Sequence, residues 1–147
     1  MATTNTSLAV AQQFIAAFEN RDPDAVVATL REDATLTIRL HIDGSPAPWY
    51  EFDGADHIRG YITSVAAKFD SVSFLDQVWT VGHDGGAAFV ETRGNILSSA
   101  EKLTYRNVYV FKFEIDGEKI TAVTEYANPV TYANLGIEDS EAEAAAR

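Results

Sequence analysis

The chain has 147 residues, enough for one domain of ordinary size and too few for two domains with separate cores. Hydrophobic residues make up 46% of the sequence and aromatic residues 11%, which indicates a globular protein with a packed interior. Eleven lysines and arginines against 22 aspartates and glutamates give a formal net charge of −11, and so acidic a surface repels the phosphates of nucleic acid. We therefore expect no nucleic-acid partner.

The sequence contains no cysteine, which excludes disulfides, thiolate nucleophiles and Cys-ligated metal centres. Residues 1–7 are polar and lack the basic start and the apolar stretch of a secretory signal. No apolar run approaches the roughly 18 residues that a membrane helix needs. The sequence thus predicts a soluble protein of the cytoplasm with no membrane partner.

Two helices are predicted at the start of the chain. Thr6 or Ser7 is the predicted N-cap of the first helix. Its apolar residues fall at helical spacing and are Leu8, Ala11, Phe14, Ile15 and Phe18. Asp22 and Pro23 predict the start of the second helix, because Asp can cap a helix and Pro at the first helical position gives up an N–H that is unpaired anyway.

A strand, a loop and a third helix follow. Apolar and polar residues alternate over residues 34–42, which predicts a strand, and a glycine with two prolines predicts a loop over residues 43–48. Asp53, with Asp56 three residues later, is the predicted cap of the third helix. The apolar side of that helix consists of Ile58, Tyr61, Ile62, Val65 and Phe69.

The chain after the third helix is predicted to be almost entirely strand. The predicted strands cover residues 72–81, 87–97, 103–115 and 119–130, and Asp116-Gly117 is a strong hairpin signal. Three helices and an antiparallel meander make an α+β domain, in which a curved sheet around the helices leaves a concave mouth for a small apolar ligand. We assign this domain to residues 1–137 and predict that residues 138–147 form a frayed helix or a disordered tail.

Glu125 is a candidate for acid–base chemistry. It shares one face of a predicted strand with Val123 and Ala127, so that this face is apolar except for one carboxyl. Burial disfavours the ionised form of a carboxyl and raises its pKa toward the range that acid–base catalysis uses. The pattern also allows a second interpretation, in which this face meets solvent.

Arg93 and Asn95 are candidate site residues on the predicted strand over residues 87–97, where they share a face with Phe89 and Glu91. A buried Arg needs a carboxylate or a ligand oxygen, and an Asn can hold a carbonyl or a water. The alternative is an outer face on which Glu91 and Arg93 meet solvent.

Asn107 is the polar exception on an aromatic strand face that also carries Tyr105 and Tyr109. A buried Asn must find hydrogen-bond partners. A three-residue hairpin loop would place Asn107 opposite Glu125, and a two-residue loop would shift that pairing by one residue.

His41 ends the first predicted strand beside the proline-rich loop, where we expect the cavity mouth. Trp49 and Tyr50 follow the loop and could form a lid or a wall. The three histidines lack the spacing of metal ligands, so that no metal is predicted. The phosphate-binding and dinucleotide-binding glycine motifs and the nucleophile elbow are missing as well, and we predict no cofactor.

The order of elements, residues 105–107 and 113–120, and the motif Glu125-Tyr126-Ala127-Asn128-Pro129 together resemble the SnoaL-like branch of the nuclear transport factor 2-like superfamily. Within this branch they are most similar to the phenazine-biosynthesis A/B proteins. The resemblance covers residues 8–132 and is most specific in the C-terminal hairpin. It implies a cone-shaped barrel, a deep apolar pocket, no required cofactor and a homodimer. It also implies that Glu125 is the acid–base residue. Epoxide hydrolases of this superfamily use an Arg flanked by two Asp, a pattern from which Asn95 and Glu125 depart.

We hypothesise a cofactor-independent acid–base enzyme, a cyclase, isomerase or dehydratase of secondary metabolism, that acts on a small apolar metabolite with a carbonyl group. Glu125 would move the proton, while Arg93, Asn107 and either Tyr105 or His41 would bind the developing oxyanion or orient the substrate. The predicted substrate-binding residues are Tyr105, Asn95, Trp49, Tyr50, Tyr61 and Tyr109. The alternatives are a non-catalytic module that binds a small ligand, and an epoxide hydrolase.

Overall fold

The fold was obtained as a computed structural model, which describes residues 3–100 and 102–147. The helices within these residues are α1 (Thr4–Glu19), α2 (Pro23–Ala28), α3 (Ala55–Lys68), α4 (Pro129–Ala133) and α5 (Glu141–Ala145). The strands are β1 (Leu30–Ile38), β2 (Tyr50–Asp53), β3 (Phe69–Val81), β4 (Ala87–Ser98), β5 (Thr104–Asp116) and β6 (Lys119–Ala127). No helix in this part of the chain has both the length and the apolar character needed to cross a membrane.

The six strands form one curved sheet in the order β2-β1-β6-β5-β4-β3. Strands β3 to β6 are the predicted antiparallel meander. Strand β1 pairs in parallel with β6 and antiparallel with β2, so that the sheet is mixed rather than wholly antiparallel. The predicted α+β class and cone-like layout are confirmed, with the correction that the sheet does not close on itself.

The first two helices show what local sequence signals can and cannot locate. The N-cap of α1 is Thr3, whose side chain accepts a hydrogen bond from the amide of Thr6 (3.1 Å). The predicted caps Thr6 and Ser7 therefore lie inside the helix, and Ser7 is fully buried. The start of α2 is as predicted, with Asp22 as the cap and Pro23 at the first helical position.

The strand boundaries around the proline-rich loop differ from prediction. Strand β1 starts four residues before the predicted residues 34–42 and ends four residues earlier. Strand β2 was missed, because four residues are too few for a clear alternation. Its last residue is Asp53, so the N-cap of α3 is Gly54 instead, with a φ of 96° that favours glycine.

The β5–β6 hairpin sets the register of the site. Asp116 pairs with Lys119, which leaves a two-residue loop. An irregularity next to the turn then shifts the pairing, and Phe111 lies opposite Glu125. The prediction that Asn107 could lie opposite Glu125 is therefore wrong.

Helices α1 and α3 cover the inner face of the sheet with aromatic contacts. Phe14 packs on Phe113 of β5, with 5.3 Å between ring centroids. One turn later, Phe18 contacts Phe74 of β3 at 5.4 Å and Tyr61 of α3 at 6.3 Å. Each such ring, when buried, contributes on the order of 2–3 kcal/mol. Phe14 and Phe113 belong to solid core, whereas the other three rings border a cavity.

Residues 138–147, predicted as a frayed or disordered tail, contain α5. Ser140 begins this helix with a capping box: its side chain accepts from the amide of Glu143 (3.2 Å), and the Glu143 carboxylate accepts from the amide of Ser140 (3.0 Å). The carbonyl of Ala146 accepts a hydrogen bond from the amide of Glu51 in β2 (2.8 Å). These contacts hold the segment against the rest of the fold.

Candidate active site

A cavity opens on the inner face of the sheet and is bordered by α3, β5 and β6. The cavity volume is about 60 Å³, which is several times the volume that one water molecule needs on the same measure. The wall is mainly aromatic and includes Phe18, Trp49, Tyr50, Tyr61, Phe69, Phe74, Tyr105, Tyr109 and Tyr132. Glu125, Lys68 and Glu143 are its charged members. Such a wall suits a small apolar ligand with few polar groups.

Glu125 projects from β6 into this cavity. Its neighbours in the sheet are Ile38 of β1 and Phe111 of β5, and it is only 7% exposed. Burial removes water from the carboxylate and raises the pKa of Glu125 from 4.5 to about 7. Of the two orientations that the sequence allowed, the inward one is observed. No side chain within residues 3–100 and 102–147 donates a hydrogen bond to this carboxyl, which leaves it available to a ligand.

Three tyrosines share the cavity with Glu125. Burial is the main cause that raises the pKa of Tyr61, Tyr105 and Tyr109, and the negative charge of Glu125 adds to the effect. The pKa of Tyr105 rises to about 12, so that its phenol is neutral at physiological pH. A neutral phenol in this position can donate a hydrogen bond to a carbonyl or an oxyanion.

Asn107 orients Tyr105 from behind the cavity wall. Its Nδ2 donates to the Tyr105 hydroxyl (2.6 Å) and to the carbonyl of Asn128 (2.9 Å). Its Oδ1 accepts from the amides of Val108 (2.8 Å) and Asn128 (3.1 Å), which fixes the amide in one orientation. Because Asn107 donates to the Tyr105 oxygen, the proton of that hydroxyl is left to point elsewhere. Asn107 does not line the cavity, so the structure makes it a positioning residue rather than the predicted catalytic one.

Arg93 and Asn95 lie on the outer face of β4, and the prediction that they share a site with Glu125 is wrong. The inward positions of this strand include Val90 and Ile96, and odd-numbered residues point away from the cavity. The Arg93 side chain is 63% exposed, and its Nε donates to Asp76 (2.9 Å). Strand alternation separates the two faces but does not say which of them is inside.

His41 also lies outside the cavity wall, contrary to its predicted role. It follows β1, and its Nδ1 is 2.8 Å from a carboxylate oxygen of Asp43. Its ring is 6.2 Å from that of Trp49, which does line the cavity together with Tyr50. The proline-rich loop therefore contributes apolar wall rather than an ionisable group.

Lys68, Tyr132 and Glu143 were missed as site residues. Lys68 ends α3, and Glu143 lies 75 positions later on α5, where its side chain forms an ion pair with Lys68. The Nζ of Lys68 is 3.4 Å from the Tyr132 hydroxyl. Nothing local in the sequence connects two positions that far apart, and an alanine-rich acidic segment is typical of a disordered tail.

A metal site was not predicted, and the described residues contain no group of three or more His, Cys, Asp or Glu side chains that could hold a metal ion.

A curved, unclosed sheet with helices on its concave side and an aromatic cavity around one buried carboxyl defines the class of cone-shaped α+β domains. The sequence matches the SnoaL-like domain over residues 11–123. The chain therefore belongs to the SnoaL-like domain family. The predicted family is thus confirmed, while a comparison with curated proteins gives no match.

Solved structures show the same fold at low sequence identity. A candidate isomerase from Bacillus subtilis is 19% identical with a TM-score of 0.77, over 91% of this chain and 94% of that one. A candidate polyketide cyclase from Xanthomonas campestris is 20% identical with a TM-score of 0.71, over 88% and 95%. A phenazine biosynthesis-related protein from Pseudomonas aeruginosa is 16% identical with a TM-score of 0.70, over 95% of each chain. At these identities the likeness establishes the fold alone.

Proposed function

We propose that this protein is a cofactor-independent acid–base enzyme that moves a proton on a small, mostly apolar substrate with a carbonyl group. The observation that carries the proposal is the buried carboxyl of Glu125, whose pKa of about 7 lies close to physiological pH. The reaction is a cyclisation, an isomerisation or a dehydration in secondary metabolism. The names of the similar structures, a candidate isomerase and a candidate polyketide cyclase among them, support this range.

In the proposed reaction, ionised Glu125 takes a proton from the carbon next to the substrate carbonyl. The electrons of the broken C–H bond form a C=C bond, and the carbonyl oxygen becomes an enolate oxygen. Protonated Glu125 then returns its proton to another carbon in an isomerisation, or to a leaving hydroxyl in a dehydration. In a cyclisation the enolate carbon attacks a second carbonyl carbon of the same molecule, the π bond of that carbonyl breaks, and protonated Glu125 gives its proton to the resulting alkoxide oxygen. A pKa of about 7 allows one carboxyl to perform both proton transfers.

Tyr105 is the proposed donor to the enolate oxygen. Its side chain lines the cavity that holds Glu125, and its hydroxyl is oriented by the amide of Asn107 (2.6 Å). A preoriented neutral donor stabilises the charge that develops in the transition state more than it stabilises the ground-state carbonyl. Tyr61 and Tyr109 then form the wall that excludes water from the reacting carbon.

The experiment is deuterium exchange into a panel of cyclic ketones, followed by NMR in D2O. Wild-type protein is compared with Glu125→Gln, which keeps the shape of the side chain, and with Glu114→Gln, a matched change on the exposed face of β5. We expect exchange at the carbon next to the carbonyl to fall roughly a hundredfold or more in Glu125→Gln only. The rate kcat/KM of the wild type should rise with pH up to about 7 and then level off, because the base must be ionised.

Equal exchange by wild type and Glu125→Gln would contradict the proposal. Ketones that bind both proteins and exchange with neither would favour the non-catalytic binding module. Epoxide hydrolysis predicts solvent oxygen in the product instead, and the position of Arg93 outside the cavity gives it no support.

We propose in addition that the protein works as a homodimer in the cytoplasm, with the outer face of the sheet as the contact. This face exposes Val78 (63%), Val108 (64%) and Leu75 (41%), and on it Asn95 Oδ1 is buried without a hydrogen-bond partner among the described residues. Burial of such side chains against a second copy is favourable. Native mass spectrometry of wild type and Val108→Asp tests the contact, because the charged variant should be monomeric.

A further inference from the structure

Lys68 and Glu143 form an ion pair in the cavity wall that the proposed proton transfer does not use. The Lys68 side chain is 12% exposed and that of Glu143 is 6% exposed. The Lys68 ammonium donates to the Glu143 carboxylate and lies 3.4 Å from the Tyr132 hydroxyl. Both charged residues border the same cavity as Glu125. The cavity therefore has a second polar point besides the candidate catalytic carboxyl.

The two partners of this pair are held very differently. Lys68 ends the 14-residue helix α3, which packs into the core through residues such as Ile62 and Val65. Glu143 lies on the five-residue helix α5, and a helix of that length has little stability of its own. The segment around it is attached through polar contacts, among them Ser64 Oγ to Ser140 Oγ (2.7 Å), and through the packing of Ile137 and Ala146 on the core. The cation thus lies on a long helix of the core, whereas its anion lies on a short helix that depends on contacts with the rest of the fold.

A nearly buried ammonium requires a counter-charge, since an unpaired charge in such surroundings costs several kcal/mol. In the structure the side chain of Glu143 supplies a carboxylate at this position. A ligand carboxylate matches it in charge, size and hydrogen-bonding geometry. The aromatic wall around the pair suits a ring next to that carboxylate.

We propose that Lys68 is an anion-binding point for the substrate, and that a ligand carboxylate replaces Glu143 there while α5 moves out of the cavity wall. This inference rests on the proposed function and narrows its substrate class to small ring-containing carboxylic acids that also carry a carbonyl group. Glu143 is then an internal competitor that occupies this point when no ligand is bound.

The test compares the binding of benzoate with that of benzamide, which has the same shape without the charge. Binding is followed by calorimetry at neutral pH for wild type, Glu143→Gln, Lys68→Met and Lys68→Arg. We expect Glu143→Gln to bind benzoate about tenfold more tightly than wild type does, with benzamide unchanged. The reason is that Glu143 no longer competes for Lys68, so that the benzoate carboxylate accepts the charged hydrogen bond from the Lys68 ammonium. Lys68→Met should lose the preference for benzoate, and Lys68→Arg should keep it. Hydrogen exchange in residues 138–147 should increase with benzoate and not with benzamide.

Equal affinity of benzoate and benzamide for Glu143→Gln would overturn the proposal, and so would a preference for benzoate that survives in Lys68→Met. The folding of Lys68→Met is checked through its retained binding of benzamide, and Lys68→Arg provides the charge-preserving comparison. Glu125→Gln separates the two proposals. If the proposed proton transfer is wrong, Glu125→Gln leaves ketone exchange unchanged and the preference of Lys68 for benzoate remains. If the proposed anion site is wrong, the preference for benzoate is missing and ketone exchange still depends on Glu125.

Discussion

Glu125 and Glu114 lie on neighbouring strands of one hairpin and have opposite surroundings. Glu125 faces the cavity, is 7% exposed and has a pKa of about 7. Glu114 lies on the exposed side of β5, opposite Ala122 of β6. The two residues are of one type, and only their place in the strand alternation separates them. Which face of the sheet a carboxyl occupies, rather than which residue it is, decides whether burial raises its pKa.

The largest expected effect is on the rate of ketone exchange and comes from a change on the inner face of the sheet. Tyr105→Phe removes the proposed oxyanion donor and leaves the ring in the wall. We expect the rate of ketone exchange to fall roughly a hundredfold to a thousandfold, as when one preoriented donor is lost elsewhere. The change should appear in kcat, because the donor acts on charge that develops in the transition state. A loss of less than about threefold would remove Tyr105 from the mechanism.

The next effect is on stability and tests burial itself. The pKa of Glu125 is raised from 4.5 to about 7 on folding, so the folded state binds its proton more tightly than the unfolded state does. Burial of this carboxyl therefore does not lower the free energy of unfolding at pH values well below the unfolded-state pKa of 4.5. The destabilisation grows as pH rises and reaches its full size above about pH 7. Relative to Glu125→Gln, wild type should lose roughly 2–3 kcal/mol in free energy of unfolding between about pH 5 and about pH 8.

Urea unfolding of both proteins across this pH range provides the measurement. Glu114→Gln serves as the matched control on the outer face, and its difference from wild type should stay constant within about 0.5 kcal/mol. If the difference in free energy of unfolding between wild type and Glu125→Gln is also independent of pH, the Glu125 carboxyl is hydrated in solution and the comparison with Glu114 fails.

The smallest of the three effects concerns the space behind the cavity wall. A Cβ added to Gly94 on the inner side of β4 would overlap the ring of Tyr109. Gly94→Ala should therefore push this ring into the cavity and destabilise the protein by about 1–3 kcal/mol. Chemical denaturation measures the cost, and the same substitution in a Tyr109→Leu background should cost clearly less. Additive effects of the two changes would show that the contact is relaxed in solution.

The local sequence predicted much of the fold, since long amphipathic patterns and strong turn residues are visible without tertiary context. Asp22 and Pro23 located α2, and the meander of β3 to β6 followed from alternation and the Asp116-Gly117 turn. Strand β2 was missed because it has four residues, and the caps of α1 and α3 were misplaced by a few residues. End positions depend on contacts such as the burial of Ser7, which local patterns do not contain.

The candidate site was predicted only in part. Glu125 stood out as a carboxyl on an apolar strand face, and Tyr105 and Tyr109 followed from the alternation on the neighbouring strand. Arg93 was misplaced because the two faces of a strand look alike when the outer one also carries apolar residues, here Phe89 and Leu97. Lys68 and Glu143 were missed because only the folded chain brings together two positions that are 75 residues apart.

Strand β6 lies inside the sheet, between β1 and β5, and is therefore hydrogen-bonded along both edges. The hairpin that carries Glu125 and Tyr105 is thus the least deformable part of the cavity. Much of the remaining wall comes from α3, from Trp49 and from the C-terminal segment, which are attached to the sheet by side-chain packing and a few polar contacts. The residues of the proposed chemistry therefore lie on the rigid hairpin, whereas those that would select the substrate lie mostly on the rest of the wall. A protein engineer seeking a new substrate would randomise the helical and C-terminal wall and keep the hairpin unchanged.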